Sequence, residues 1–311
     1  MSAVVALFGG QGSQYPGMGK SLFEMSAQAR EVYECASDIL GYDMAKVSFE
    51  GSPEELCRTQ FCQPALFAHS LAAWEASQGQ LPAPVAVGGH SVGEYAALYC
   101  AGAFSMEDGF RLIGARAKAM ESAARSAPGT MVAIAGSDPD TIRGVCAGHG
   151  DVWAVNFNLP GQTVISGAVG ACLAAAEELS ALGARTTRLN VCSAFHTPMM
   201  RPAAAELREM IGGIRYYQPN CDFYSNLTGG LLDIEDYPEY FVQHMVSPVR
   251  WVEEIAAMSS AGIDTCIEFG PGKTASTLAK KNNRALTTMT VECGQTLQKT
   301  ANSVLATAAV V

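Results

Sequence analysis

Val85-Ala-Val-Gly-Gly-His-Ser-Val-Gly-Glu-Tyr-Ala-Ala-Leu98 decides the reading of this chain. A short apolar run, Val85-Ala86-Val87, predicts a buried strand. Gly89-His-Ser-Val-Gly93 follows it, and Val92 to Ala101 has helical character. A G-x-S-x-G between a strand and a helix is the pattern of a nucleophile elbow. The tight turn forces Ser91 into a strained backbone, and the glycines at 89 and 93 let neighbouring main chain approach closely. Ser91 then stands at a helix N-terminus, where unpaired N–H groups and the helix dipole favour negative charge. That suits a hydroxyl that attacks a carbonyl and leaves an oxyanion. The competing reading is a small-residue turn that merely caps a helix.

Outward from the elbow, strand and helix patterns alternate, the signature of an α/β fold with a mostly parallel sheet. Strands are expected at Val4–Phe8, Val85–Gly88, Cys221–Ser225 and Thr265–Phe269. Helices are expected at Ser21–Leu40, Gln63–Ala76, Val92–Ala101, Met106–Arg125, Pro202–Met210 and Pro248–Ser260. Between Thr130 and Leu189 the rhythm becomes β-α-β-β-α-β, the ferredoxin-like order. The expected architecture is an α/β-hydrolase-like large subdomain (1–127 and 191–311) with a mostly parallel sheet. An inserted ferredoxin-like small subdomain (128–190) completes it, with the site in the cleft between them.

The bulk properties fit an enzyme in the cytoplasm. The 311 residues carry 20 Lys+Arg against 30 Asp+Glu, a net charge of −10 that argues against nucleic acid or an anionic membrane as partner. No apolar run reaches the ~18 residues of a membrane span. The N-terminus has no basic leader and reads as a first buried strand. The ten cysteines are scattered, without C-x-x-C or a Cys/His cluster, so neither a disulfide framework nor a metal is expected.

A serine nucleophile needs a base. Of five histidines, His196, in Ser193-Ala-Phe-His-Thr-Pro198, lies where the chain re-enters the large subdomain. Its alternative is a structural loop residue. His90 adjoins the nucleophile but should diverge from it, His69 falls in an apolar helical run, and His149 in a Gly-rich turn. No acid between Ser91 and His196 falls in a loop after a large-subdomain strand. A Ser-His dyad oriented by a backbone carbonyl removes the need for one.

On the helix from Met106, the residues Met106, Phe110, Ile113, Ala117 and Met120 form one apolar stripe, with Arg111 and Lys118 well off it. Arg116 lies on the flank of that stripe. A guanidinium against a semi-buried face pairs carboxylates bidentately, which suggests an anionic substrate. An intramolecular salt bridge or a snorkelling side chain accounts for it equally well. Gly9-Gly-Gln-Gly-Ser-Gln14 lacks the lysine of a phosphate loop, and reads better as a turn presenting N–H groups beside the elbow.

Several motifs occur together and in order: Gly10-Gln-Gly-Ser-Gln14, Gln63-Pro-Ala-Leu66, Gly89-His-Ser-Val-Gly-Glu-Tyr-Ala-Ala-Leu98, Arg116, Asn156-Phe-Asn158, Pro160-Gly-Gln162, Phe195-His196, Pro248-Val-Arg-Trp251 and Glu268-Phe-Gly-Pro-Gly272. In this the chain resembles, over nearly its whole length, the malonyl-CoA:acyl-carrier-protein transacylases of fatty-acid synthesis and the acyltransferase domains of polyketide synthases. Its length resembles a free-standing transacylase.

The resemblance implies Ser91 as nucleophile, His196 as base, and the N–H groups of Gln11 and Val92 as oxyanion hole. It implies Arg116 as ligand of the malonyl carboxylate, and Gln63 and Phe195 in the acyl pocket. The position that orients the histidine through its carbonyl, often Gln or Asn, is occupied here by His244. Gly9 stands where proline is usual, and Leu159 where serine is common. The implied activity is ping-pong malonyl transfer from malonyl-CoA to an acyl carrier protein, with coenzyme A entering as thioester and no bound cofactor. The protein is expected to be a monomer. Lys273, Lys280, Lys281 and Arg284 are the candidate carrier-docking patch, against the alternative of a solvated helix face. A thioester hydrolase and an inactive docking module are the rival functions.

Overall fold

The computed structural model describes residues 3–191 and 193–308. The chain begins with β1 (Val4–Phe8), α1 (Lys20–Met25), α2 (Ala27–Leu40), α3 (Met44–Glu50), α4 (Pro53–Cys57) and α5 (Thr59–Ala76). The elbow segment follows as β2 (Ala86–Gly89) and α6 (Gly93–Cys100), then the long α7 (Met106–Ser126). Next come β3 (Gly129–Ala135), α8 (Pro139–His149), β4 (Val152–Leu159), β5 (Gln162–Ala168), α9 (Val169–Ala181) and β6 (Arg185–Arg188). After a 3₁₀ turn at Pro198–Met200 the chain forms α10 (Arg201–Ile211), β7 (Asp222–Ser225), β8 (Gly230–Leu231), α11 (Tyr237–Val246) and α12 (Trp251–Ser260). It ends with β9 (Thr265–Phe269), α13 (Thr274–Asn282), β10 (Thr287–Val291) and α14 (Gly294–Ala308).

The larger sheet has the order β10-β9-β1-β2-β7-β8. Its first five strands are parallel, and β8 adds an antiparallel edge. The uninterrupted run Val4-Val-Ala-Leu-Phe8 is buried throughout, as a central parallel strand covered on both faces must be. Its side chains alternate between two cores. Val4, Ala6 and Phe8 pack with residues of α2, α5, α6 and α7, while Val5 and Leu7 meet Trp251, Ile255 and Met258 of α12 and Ala275 of α13.

The smaller sheet is antiparallel, with order β4-β5-β3-β6, the ferredoxin-like topology that the sequence rhythm predicts. Val132 and Ile134 turn towards α8 and α9, whereas Met131, Val155 and Val164 join the large core. The two sheets therefore share one apolar interface, and the loops at that interface carry the site.

Two predicted helices differ. The expected helix over Ser21–Leu40 is two, because Ser26 is extended (φ −125°, ψ 130°) and its hydroxyl accepts the Ala29 N–H as an N-cap. The helix expected from Pro248 begins at Trp251. Val249 is instead drawn into main-chain bonding with β4: its N–H donates to Val155 O at 2.7 Å, and its carbonyl accepts from Phe157 N–H at 2.9 Å. Helices α3, α4, α11, α13 and α14 and strands β8 and β10 are additional to the sequence expectation.

Candidate active site

Ser91 leaves β2 in the left-handed region, φ 54°, and His196 has φ 62°. They are the two non-glycine residues with positive φ among the described residues, so backbone strain is concentrated on the predicted nucleophile and base. The elbow closes because its neighbours are glycines. A Cβ on Gly89 would stand 2.2 Å from the carbonyl carbon of Gly93, and one on Gly93 would stand 2.2 Å from Phe8 O.

Ser91 Oγ lies 2.6 Å from His196 Nε2, and His196 Nδ1 lies 3.0 Å from the carbonyl oxygen of Ser247. A carbonyl can only accept, so Nδ1 carries the proton and Nε2 is left to receive the serine hydroxyl. Burial, followed by the positive fields of His244, Arg116 and His90, holds the His196 imidazole well below its ordinary range, against the opposing bond to Ser247. The imidazole therefore has the serine hydroxyl in reach of one nitrogen, and among the described residues no carboxylate bonds to either.

The orienting carbonyl corrects one expectation. It belongs to Ser247, immediately before Pro248, and not to His244. Helix α11 ends at Val246, and Ser247 is extended (φ −112°, ψ 155°), as residues before proline prefer. Its carbonyl is thereby turned out of the helical ladder. His244 remains inside the helix with its side chain in the core, 1% exposed, its ring 5.6 Å from that of His196 and edge-on to it.

Arg116 is 1% exposed, and its Nε and Nη1 have no hydrogen-bond partner among the described residues. Among the described residues it forms no ion pair, which removes the salt-bridge alternative; its burial removes the snorkelling one. Its guanidinium lies over the Tyr95 ring at 5.1 Å. Arg111, by contrast, pairs with Asp108 on the surface. Gln63 is buried on α5, with Nε2 3.4 Å from Met120 Sδ and Oε1 unpartnered. Phe195 is buried in the same core as Met120. Unpaired polar atoms of Gln63, Tyr95, Arg116 and His244 thus gather on α5, α6, α7 and α11, in contrast to the usual satisfaction of buried polar groups.

The loop after β1 lies against the elbow, since a Cβ on Gly10 would come within 2.7 Å of His90 O. Gln11 is the next residue. Val92 caps α6 ahead of its first intrahelical donors, with Gly93 N–H bonding to His90 O and Glu94 N–H to Ser91 O. His90 itself points elsewhere, to Asn158 Oδ1 at 2.7 Å, with its ring edge on Trp251.

Residues 5–299 match the acyl transferase domain family. The chain belongs to that family. This acyl transferase is 36% identical over 304 residues to the malonyl CoA-acyl carrier protein transacylase of Bacillus subtilis, covering 96% of each chain. It is 35% identical over 293 residues to the protein of the same name from Escherichia coli, covering 90% of this chain and 93% of that one. Among solved structures it superposes on a malonyl CoA-acyl carrier protein transacylase from Clostridium perfringens with a TM-score of 0.93 at 34% identity, covering 99% of both. A malonyl-transacylase in complex with a type II PKS acyl-carrier protein gives a TM-score of 0.93 at 34% identity, over 97% of this chain and 100% of that one.

The acyl transferase site also contains residues the sequence reading missed. Asn226, just past β7, accepts the Ser91 N–H on Oδ1 at 2.7 Å and donates from Nδ2 to Gly89 O at 2.7 Å and Glu254 Oε2 at 2.6 Å. Its own N–H donates to Glu94 Oε1, while Tyr240 O–H donates to Glu94 Oε2 at 2.6 Å. Both acids are fully buried. Burial, with the charge of Glu94 beside it, pushes the Glu254 carboxyl well above the usual carboxylate range, against the amide of Asn226. One signal could have found Asn226: it follows the carboxyl end of a strand, where open α/β sheets place their sites.

Proposed function

We propose that this chain is a malonyl-CoA:acyl-carrier-protein S-malonyltransferase of fatty-acid or polyketide synthesis, working by ping-pong through a malonyl ester on Ser91. The observation that carries this reading is Arg116, a buried guanidinium over the Tyr95 ring that forms no ion pair among the described residues and whose Nε and Nη1 have no hydrogen-bond partner among them, in a protein whose Ser91 and His196 form a dyad. A serine esterase needs only the dyad. An acyl group ending in a free carboxylate needs a cation already in place, and a desolvated arginine makes strong paired bonds to it.

In the first half-reaction Ser91 Oγ attacks the thioester carbonyl as its proton passes to His196 Nε2. The Val92 and Gln11 N–H groups hold the oxyanion, each worth about 10²–10³ in rate. The C–S bond breaks, coenzyme A leaves with the proton from His196, and malonyl-Ser91 remains. In the second half-reaction a phosphopantetheine thiol gives its proton to His196 and attacks the ester, and Ser91 recovers its proton. Gln63 and Phe195 line the acyl pocket. The Phe195 ring crowds an α-methyl branch, worth about 1–3 kcal/mol of discrimination. Coenzyme A enters only as a substrate thioester, and no cofactor is bound.

The carrier docks on a basic groove. A cavity of about 490 Å³ is lined by Lys273, Lys280, Lys281 and Lys299 with threonines from β10, and by no acid. None of the four lysines is in an ion pair among the described residues, although the chain carries a net charge of −10. Ser13 Oγ–H donates to Thr274 Oγ1 at 3.1 Å, tying this end of α13 to the loop that carries Gln11. Arg284, expected in the patch, is not among the residues lining it, and Lys299 of α14 is. No helix among the described residues is long and apolar enough to cross a membrane. A cytoplasmic monomer, acting on malonyl-CoA and a carrier and not on nucleic acid, is the working form.

Intact mass after brief exposure to malonyl-CoA tests the reading. The expected result is a malonyl adduct on the native protein, absent from Ser91→Ala, and cleared by holo-carrier faster than by water. Clearance at equal rates would make the protein a hydrolase, and no adduct with any acyl-CoA would make it a docking module.

A further inference from the structure

The loop that presents Gln11 runs from Gly9 to Gly19 without strand or helix, and five of its eleven residues are glycines. Glycine loses more backbone freedom on ordering than any other residue, so such a segment keeps one shape only where other elements hold it. Ser13 Oγ–H donates to Thr274 Oγ1 at 3.1 Å, and Gly17 N–H to Ser48 O at 3.0 Å. Between these two ties, Tyr15 O–H donates to Glu292 Oε1 at 2.8 Å. The same oxygen accepts the Gly272 N–H at 2.8 Å. Gly272 belongs to the turn between β9 and α13, and a Cβ there would stand 3.8 Å from Ser13 Cβ, so the two loops are in contact. Glu292 is itself anchored through its main chain. Its N–H donates to Thr296 Oγ1 at 2.8 Å, and its carbonyl accepts from Nε2 of the buried His69 on α5 at 2.7 Å. Tyr15, by contrast, is 41% exposed, so its ring owes little of its place to packing.

We infer that Tyr15 and Glu292 form a latch on this loop and are positioning residues for the attack of Ser91, setting where the Gln11 N–H lies. The inference rests on the reading of Gln11 as an oxyanion donor in acyl transfer. An N–H stabilises an oxyanion most when it is already aimed at the place where the charge develops. One end of the loop is set at Gly10, which lies against His90 O beside the elbow. Beyond Gln11, Gly12 N–H bonds to Gln14 Oε1 at 2.8 Å inside the loop, and the next residue, Tyr15, carries the bond that reaches outside it. Without Glu292 the inner bond remains but the turn it closes is free to shift as a unit, and the Gln11 N–H shifts with it. A misplacement of about 1 Å in a catalytic group costs up to about 10² in rate. Tyr15 and Glu292 bond to neither member of the dyad, so their effect on rate passes through the loop.

The test is the rate at which diisopropyl fluorophosphate labels Ser91, read by intact mass in the native protein, Tyr15→Phe, Glu292→Leu, Glu292→Gln and the Tyr15→Phe/Glu292→Leu double variant. The probe's phosphoryl oxygen takes the oxyanion position, so the comparison holds whether or not malonyl-CoA acylates the native protein. Tyr15→Phe and Glu292→Leu are each expected to lose about tenfold, a fraction of the 10²–10³ typical for losing a donor outright. Glu292→Gln keeps an oxygen that accepts both donors and should stay within about threefold of native. The double variant should lose no more than the worse single one, since the two residues make one bond. With malonyl-CoA as donor, the same loss should fall on the acylation rate constant and leave the half-saturating concentration unchanged. A native labelling rate in Tyr15→Phe would overturn the latch, as would single losses that multiply in the double variant. If Glu292→Leu does not fold, Tyr15→Phe decides alone, and a rate loss there matched by a lower urea midpoint would make the contact one of general stability. No labelling of native Ser91 would overturn the latch together with the oxyanion reading.

Discussion

Asn226 Oδ1 accepts the Ser91 N–H at 2.7 Å, which ties the strained backbone of the nucleophile to the end of the neighbouring strand. This bond also occupies the Ser91 amide, which is consistent with the proposal of Val92 as the elbow's oxyanion donor. Truncation by Asn226→Ala strands the Ser91 N–H, Gly89 O and Glu254, each a buried polar group. The expected cost is about 2–4 kcal/mol in unfolding free energy and about 10² in acylation rate through misplacement of the hydroxyl. Asn226→Asp adds a third acid beside Glu94 and Glu254 and should be less stable than the alanine variant. Rapid-quench adduct formation together with urea melts checks both, and a native rate in Asn226→Ala would remove the positioning role.

For Arg116 the prediction has opposite signs in activity and stability. Replacing a buried unpaired cation with an apolar side chain of similar length relieves a desolvation cost, so Arg116→Met should melt no lower than the native protein. On the proposed function the same change removes the charge-assisted bonds to malonyl. Selectivity for malonyl- over acetyl-CoA should fall by about 10²-fold, from roughly 1.5–3 kcal/mol of lost interaction. Competition between the two donors, read by adduct mass, measures it. An unchanged product ratio would show that malonyl's carboxylate is held elsewhere.

Acid should destabilise the fold through its buried imidazoles. Burial pulls His69 down to about 4, against its bond to Glu292 O, and lowers His90 and His196 as well. In the unfolded chain each titrates near the usual value of about 6.5. Between the two values the unfolded state binds more protons, so stability rises with pH. The contribution is fully present above about 6.5 and is lost as pH falls towards 4. His69 alone accounts for about 3 kcal/mol of that loss. Urea unfolding at pH 7 and pH 4.5 should therefore show a smaller difference for His69→Gln than for the native chain. Equal differences would place the acid sensitivity in the carboxylates.

What could be read from the sequence was local. The buried run Val4–Phe8, the elbow around Ser91 and the alternation between Met131 and Leu189 each carry their own pattern within a few residues, and each became the predicted element. Ser26 and Asp236 are capping residues whose signals sit in the sequence; the first was overrun by an apolar periodicity that continues past it, and the second opens α11 with Pro238 in its first turn. The rest is non-local. Asn226 and Glu94 meet across 132 residues, and nothing in Val92-Gly-Glu-Tyr95 distinguishes a buried acid from one that merely suits a helix N-terminus. The carbonyl that orients His196 is a main-chain atom, which no residue type announces. Arg116 was placed by its helix face, but only tertiary packing shows that no carboxylate among the described residues pairs with it.

Carrier docking is the step in which electrostatics should govern rate more than affinity. Lys280 is fixed by donation of Nζ–H to Leu286 O, and Lys281 is exposed beside it on α13. Charge reversal at both (Lys280→Glu with Lys281→Glu) changes the groove's field by four units and touches neither the dyad nor Arg116. Steered encounters between opposite charges gain 10-fold or more at low salt and lose it as salt rises. The double variant should therefore lose about tenfold in kcat/KM for the carrier at low ionic strength. The native protein's decline with added salt should flatten in it, while adduct formation from malonyl-CoA stays near the native rate. Stopped-flow transfer from pre-formed malonyl-enzyme to carrier, run over a salt series, separates the half-reactions. If the loss appears instead as a raised KM for malonyl-CoA, the lysines serve the phosphates of coenzyme A and the carrier docks on another face.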